Sequence, residues 1–185
     1  MMKTNLIVVD DFYTNPDEIR KFALSQSFNV EGNFPGRRTK DFLWEDVGNT
    51  IKELVKPYTG SFIGFSEMYS GSFQIATAKD RTWIHADSFN KWAGVCYLTP
   101  NAPYTAGTGL FRHKATNASS SSELPKGTEI ESLDYTAWDL VDTIGNKYNR
   151  LILYRGDLFH ASLNYFGNNN ENGRLFQLFF FDTEI

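Results

Sequence analysis

Apolar and polar positions alternate in short runs over most of this chain, and helical spacing is confined to a few stretches. Leu6-Ile7-Val8-Val9 reads as a first strand, closed by Asp10-Asp11. Asn15-Pro16-Asp17-Glu18 then opens a helix: Asn sits at the N-cap, Pro at the first helical position, and acids in the turn where the helix dipole favours them. Ile19, Phe22 and Ala23 give it an apolar face. After a loop from Gly32 to Lys40, Val47, Ile51, Leu54 and Val55 recur at helical spacing, and Pro57 is expected to stop that helix. Both helices are expected to cover one face of a sheet.

From Ser61 onward the texture changes to short strands: Phe62 to Tyr69, Ser72 to Ala76, Thr82 to Ala86, Ala93 to Leu98 and Leu110 to His113. Lys114 to Tyr148 reads as an insert. It holds a serine run (Ser119 to Ser122) with the composition of a linker, then Pro125-Lys126-Gly127. A helix is expected next, with Leu133, Ala137, Leu140, Val141 and Ile144 on one face and Gly145 at its end. Strands resume at Arg150 to Tyr154, Phe159 to Asn164 and Arg174 to Phe181, the last two predicted to form a hairpin around the polar loop Gly167 to Gly173. This pattern argues for a mainly β sandwich or barrel with flanking helices in a single domain: strand and helices over 1–60, core over 61–185, insert at 114–148.

Composition narrows the function classes. The chain has 185 residues, 16% of them aromatic, enough to bury a core without cross-links. The net charge is −4 and the only compact basic cluster is Arg37, Arg38 and Lys40, so no nucleic-acid partner is expected. Cys96 is the single cysteine and lies in an apolar run, where it reads as a buried small side chain. Met1 to Val9 is too short an apolar run for a signal peptide, and no stretch approaches a membrane span, so a soluble, cytoplasmic protein is expected.

Three histidines carry the candidate chemistry. His85 and Asp87 in Trp83-Ile84-His85-Ala86-Asp87 are two positions apart in an apparent strand, so their side chains leave the same face. His160, from a distant strand, can complete a set of two imidazoles and a carboxylate on one side of a metal, the arrangement of 2-His-1-carboxylate iron sites. Arg174 follows across the polar loop at the start of an apolar strand, where a buried guanidinium needs a carboxylate to meet it. A dicarboxylate with one end on the metal and the other on Arg174 fits that need. His85 and Asp87 could instead form a surface pair on an edge strand, and Arg174 a salt bridge to a structural acid. His113 reads either as packing or as a group beside the site.

The segments "WIHADS", "AGVCYLTP", "GTGLFRHK", "NRLILYRGDLFHAS" and "GRLFQLFFFD", in that order from Trp83 to Asp182, resemble the Fe(II)/2-oxoglutarate-dependent oxygenases. They are similar to the prolyl-hydroxylase-like branch and closer still to small bacterial and phage members of that superfamily. The resemblance implies a double-stranded β-helix, or jelly-roll. His85, Asp87 and His160 would bind Fe(II), Arg174 would hold the distal carboxylate of the cosubstrate 2-oxoglutarate, and Tyr97 would share it. With O2, such an enzyme hydroxylates a small-molecule or peptidyl substrate and releases succinate and CO2. Asp87 stands where halogenating relatives keep a small residue. Two positions depart from the family pattern: Phe176 replaces a frequent Ser or Thr, and Ala76 and Thr77 lie where a tyrosine is common. The alternatives are a zinc-dependent hydrolase using the same three ligands, which leaves Arg174 idle, and a jelly-roll binding module without turnover. The insert 114–148 is the candidate lid.

Overall fold

In the computed structural model, residues 4–184 are described; Met1 to Lys3, part of the segment weighed as a targeting signal, lie outside it. The first element is β1 (Leu6–Val9), followed by α1 (Pro16–Leu24), β2 (Arg37–Arg38) and α2 (Glu45–Thr59). Then come β3 (Phe62–Phe65), β4 (Phe73–Ala76), β5 (Trp92–Tyr97), β6 (Thr108–His113), β7 (Trp138–Ile144), β8 (Leu151–Arg155), β9 (His160–Ser162) and β10 (Arg174–Thr183). Two antiparallel sheets result. The larger runs β1-β8-β5-β10-β4-β2 with β3 also on β10, and the smaller runs β7-β6-β9. This is the expected mainly β jelly-roll. Among the described residues no helix is long and apolar enough to cross a membrane.

The period-2 alternation of the long strands divides the interior into layers. Ala93, Val95 and Tyr97 of β5, Ile152 and Tyr154 of β8, and Phe176, Leu178 and Phe180 of β10 point between the sheets. Their sequence neighbours Trp92, Cys96, Leu151, Leu153, Leu175, Phe179 and Phe181 point the other way, onto Ala23 of α1 and Val47, Ile51 and Val55 of α2. Burying a side chain of this size contributes roughly 1.5–3 kcal/mol, so a one-residue slip of β10 would forfeit both layers. Cys96 is fully enclosed on the helix side, and burial pushes its thiol up. Gly94 makes room for Leu153 where β5 crosses this layer: a Cβ there would lie 2.7 Å from Leu153 Cδ2, so that side chain would have to shift.

Four expectations change. Pro57 lies inside the last turn of α2, which ends instead at Gly60 with φ of 73°. No helix forms over 133–144: a single 3-10 turn at Tyr135–Ala137, held by the Asp134 carboxylate accepting from Thr136 N, leads into β7. β7 pairs along the whole of β6, and Leu140 and Val141, expected to face a core, are exposed. The region 114–148 thus supplies a strand of the smaller sheet. The predicted hairpin is a crossover, since β9 pairs with β6 while β10 lies in the other sheet. Thr82 to Ala86 is extended but joins no ladder beyond one bridge, His85 to His160.

Candidate metal centre and its cavity

The extended segment 82–87 keeps strand alternation without strand pairing. Ile84 is wholly buried against Phe111, Trp138 and Phe159, with Ala86 packed on the same cluster, which turns His85 and Asp87 to the opposite side. Ile84 N donates to Ser132 O, and Asp87 N donates to Gly156 O at 2.7 Å. Gly156 is needed for that approach, because a Cβ there would lie 2.7 Å from Asp87 O. On the other side, Leu110 pairs with His160 and Thr108 with Ser162, so His160 and Ser162 leave β9 toward the space between the sheets.

His85, Asp87 and His160 each offer a ligand atom, all within 4.8 Å of one another. His85 Nε2 is 3.8 Å from Asp87 Oδ1, and His160 Nε2 is 3.3 Å from Asp87 Oδ2. Each ring is oriented by its other nitrogen: His85 Nδ1 donates to Trp83 O at 3.1 Å and His160 Nδ1 to Leu158 O at 2.8 Å. A carbonyl can only accept, so each Nδ1 carries a proton, and both Nε2 atoms are left facing the Asp87 carboxylate. This is the outer-sphere support that metal-bound histidines use. Burial, then the neighbouring His160 ring, pulls His85 down to about 4, leaving it neutral at pH 7. Burial pushes Asp87 up, but the His160 hydrogen bond and the surrounding positive groups outweigh it, so its pKa lies below the ordinary value.

The three residues open into a cavity of about 420 Å³. Arg174, 1% exposed, enters it from the facing sheet. Its Nε donates to Ala106 O at 3.0 Å and Nη2 to Gly107 O at 3.4 Å, while Nη1 is buried with no partner. Phe176, Tyr97 and Tyr165 surround the guanidinium, with ring centroids 4.5, 5.3 and 5.9 Å from its central carbon. Among the described residues no carboxylate pairs with it. The reading of Arg174 as a partner of a structural acid is therefore set aside, and so is the surface-pair reading of His85 and Asp87.

Tyr97 does not line the cavity. Its hydroxyl pairs with Thr108 Oγ1 at 2.7 Å, and Thr108 forms the wall there. Phe176, one of the departures from the oxygenase pattern, presents its ring to Arg174; Thr108 and Ser162, opposite one another on β6 and β9, bring hydroxyls to the cavity wall. Sequence reasoning missed both, since only the pairing of the smaller sheet brings them there. It also missed Tyr165, which carries a phenol ring to Arg174 from outside the motifs. His113 is a packing residue: it is buried against Trp138, with Nδ1 on Thr116 Oγ1 and Nε2 on Glu131 Oε2, both at 3.0 Å. No residue of 114–148 lines the cavity; Asn33 to Pro35, Tyr69, Thr82, Trp83 and Phe89 stand there instead.

Fold and site together define a jelly-roll with an N/N/O cluster of three side chains that could hold a metal ion and a buried arginine in one cavity. The chain belongs to the family of unknown function DUF6445, whose pattern matches residues 1–181. No curated protein matches it in sequence. HygX from Streptomyces hygroscopicus, solved with nickel and 2-oxoglutarate bound, shares the fold at a TM-score of 0.66 and 13% identity, over 96% of this chain and 82% of that one. A prolyl hydroxylase from Trichoplax adhaerens, in complex with a hypoxia inducible factor peptide fragment, aligns at 0.56 and 13%, over 96% and 84%. SnoN, a non-heme alpha ketoglutarate dependent epimerase from nogalamycin biosynthesis, aligns at 0.62 and 13%, over 97% and 79%. At these identities the likeness establishes a common fold.

Proposed function

We propose that this chain is an Fe(II)- and 2-oxoglutarate-dependent dioxygenase that hydroxylates its substrate and releases succinate and CO2. The observation that carries the reading is the Arg174 guanidinium, buried without an acid partner and with Nη1 uncommitted, in the same cavity as His85, Asp87 and His160. A buried cation costs several kcal/mol unless paired, and a dicarboxylate arriving with its own charge offsets that cost. The fold shared with HygX, which binds 2-oxoglutarate, supports the same reading.

His85, Asp87 and His160 would hold Fe(II), two neutral nitrogens and one carboxylate leaving three positions open. Arg174 would take the distal carboxylate of 2-oxoglutarate through Nη1 and Nη2. Thr108 would add a hydroxyl, with Tyr97 behind it as a positioning residue rather than a contact. Fe(II) with 2-oxoglutarate supplies the O2 chemistry when bound. The protein's own part is to orient the cosubstrate and keep its path dry: Val95, Phe176, Leu178 and Phe180 wall the cavity against water. The order of H-x-D, distal His and Arg supports placement in the prolyl-hydroxylase-like branch.

A zinc hydrolase would use the same ligands but leave Arg174 without a role. Metal-free protein reconstituted with Fe(II) and supplied with 2-oxoglutarate and O2 is expected to release succinate even without its primary substrate. Zinc-loaded protein is expected to release none. Hydrolysis of ester or amide probes by the zinc form, with no succinate from the iron form, would overturn the proposal.

A further inference from the structure

Arg38 is a second buried guanidinium in the cavity wall. Its residue is 7% exposed, and its central carbon lies 3.8 Å from the Phe34 ring centroid and 4.4 Å from that of Tyr69. One edge is committed: Nε donates to Gln74 Oε1 at 3.0 Å, and Nη2 donates to the same oxygen. Gln74 is itself fixed, its Nε2 donating to Pro35 O at 2.7 Å. Nη1 makes no hydrogen bond among the described residues, and none of their carboxylates pairs with Arg38. Burial pulls the group down to about 10, so it stays a cation at pH 7.

The register places it apart from Arg174. Arg38 pairs with Gln74, and Gln74 with Phe176, while Arg174 pairs with Ala76 two positions along. All these side chains leave one face of the sheet. With strands roughly 4.8 Å apart and about 3.3 Å per residue, the two arginine Cα atoms are about 12 Å apart across two strand spacings. They form two anion sites on one wall. The cavity volume of about 420 Å³ falls within the range of pockets for drug-sized ligands, roughly 300–1,000 Å³, larger than a five-carbon diacid needs.

We infer that Arg38 receives an oxyanion of the primary substrate, a carboxylate or a phosphate ester, through its free Nη1 and Nη2 edge. The aromatic rings on both faces hold the plane of the fork, which suits end-on bidentate capture. The substrate is then an anionic compound, anchored at Arg38 with its reacting part directed toward His85 and Asp87. This assignment rests on the oxygenase reading for the word substrate; the anion site stands on its own geometry.

The test uses full-length protein labelled with 15N-arginine and loaded with Zn(II) as a diamagnetic ion. The Arg38 and Arg174 Nε–H resonances are assigned by their loss in R38K and R174K, and 2-oxoglutarate, sodium acetate and inorganic phosphate are titrated against chloride at matched ionic strength. With 2-oxoglutarate already bound, acetate or phosphate is expected to shift the Arg38 resonance saturably while Arg174 stays still. Acetate acting alone selects a carboxylic acid, and phosphate acting alone a phosphate ester. A flat Arg38 resonance with both anions would overturn the proposal. If 2-oxoglutarate itself shifts Arg38 and not Arg174, the cosubstrate assignment fails instead. A response of Arg38 to acetate or phosphate with no response of Arg174 to 2-oxoglutarate would leave the anion site standing and the oxygenase reading overturned.

Discussion

His85 and His160 face each other across a single antiparallel bridge, each donating its backbone N–H to the other's carbonyl at 3.0 and 2.8 Å. Each also turns Nδ1 back onto a carbonyl two residues upstream. The two imidazoles are thereby held in one orientation, with both Nε2 atoms turned toward Asp87.

Removing the carboxylate tests that arrangement. Asp87→Ala is expected to weaken Fe(II) binding by more than the roughly 10–100-fold that loss of an outer-sphere partner costs. Succinate release should fall with it. Metal content after dialysis, compared with wild type, measures the first effect; full retention of iron would remove Asp87 from the ligand set.

Gly107 links backbone packing to Arg174. A Cβ at this position would fall 1.8 Å from Ile144 O, a backbone atom that cannot swing away, and the Gly107 carbonyl itself accepts from Arg174 Nη2. Gly107→Ala is therefore expected to cost about 1–3 kcal/mol, the usual range for overpacking, and to weaken 2-oxoglutarate binding as well. Chemical denaturation together with a 2-oxoglutarate titration of the zinc-loaded protein checks both. Unchanged affinity would show that the 106–107 carbonyls do not set the guanidinium.

The strand β7 makes its own prediction. Val141 is 55% exposed, whereas Trp138 is buried against His113 and Phe159. Val141→Thr should change stability by no more than about 0.5 kcal/mol, and Trp138→Ala should cost about 3–5 kcal/mol. A helix with Val141 on its buried face would give a large loss at Val141, so urea midpoints of the two variants separate strand from helix.

Acid should destabilise the metal-free protein through His85. The unfolded chain protonates this ring near 6.5, the folded chain only near 4. Between those values the unfolded state binds the extra proton, so stability is complete above about 6.5 and declines as pH falls toward 4. The side chain is 38% exposed, and it faces the cavity, so solvent there moderates the effect. Thermal midpoints of chelator-treated wild type should drop more steeply over this window than those of His85→Gln; parallel curves would contradict the assignment.

Much of the frame was legible in the alternation of β5, β8 and β10, because each buries both faces and its residues sort cleanly into two layers. The grouping of His85, Asp87 and His160 was legible from residue types and spacing, and their side chains do meet, within 4.8 Å of one another. What escaped has physical reasons. Leu133, Ala137, Leu140, Val141 and Ile144 match a helical period, yet Tyr135, Thr136, Trp138, Thr143 and Ile144 are strand formers, and pairing along β6 decided the outcome. The crossover from β9 to β10 depends on which sheet each strand joins, which no local signal encodes. Arg37 and Arg38 read as one basic cluster, but adjacent residues of a strand face opposite ways: Arg37 bonds Asn170 in solvent, while Arg38 turns into the cavity.

The most direct test of the oxygenase reading is anaerobic. Fe(II) and then 2-oxoglutarate are added to metal-free wild type and to Arg174→Ala, and the visible charge-transfer band of chelated cosubstrate is followed. Losing hydrogen bonds to a charged group costs roughly 1.5–3 kcal/mol, so the band is expected in both proteins, with about 10- to 100-fold more 2-oxoglutarate needed by the variant. Iron binding without a band in wild type, or equal half-saturation in the two proteins, would contradict the account.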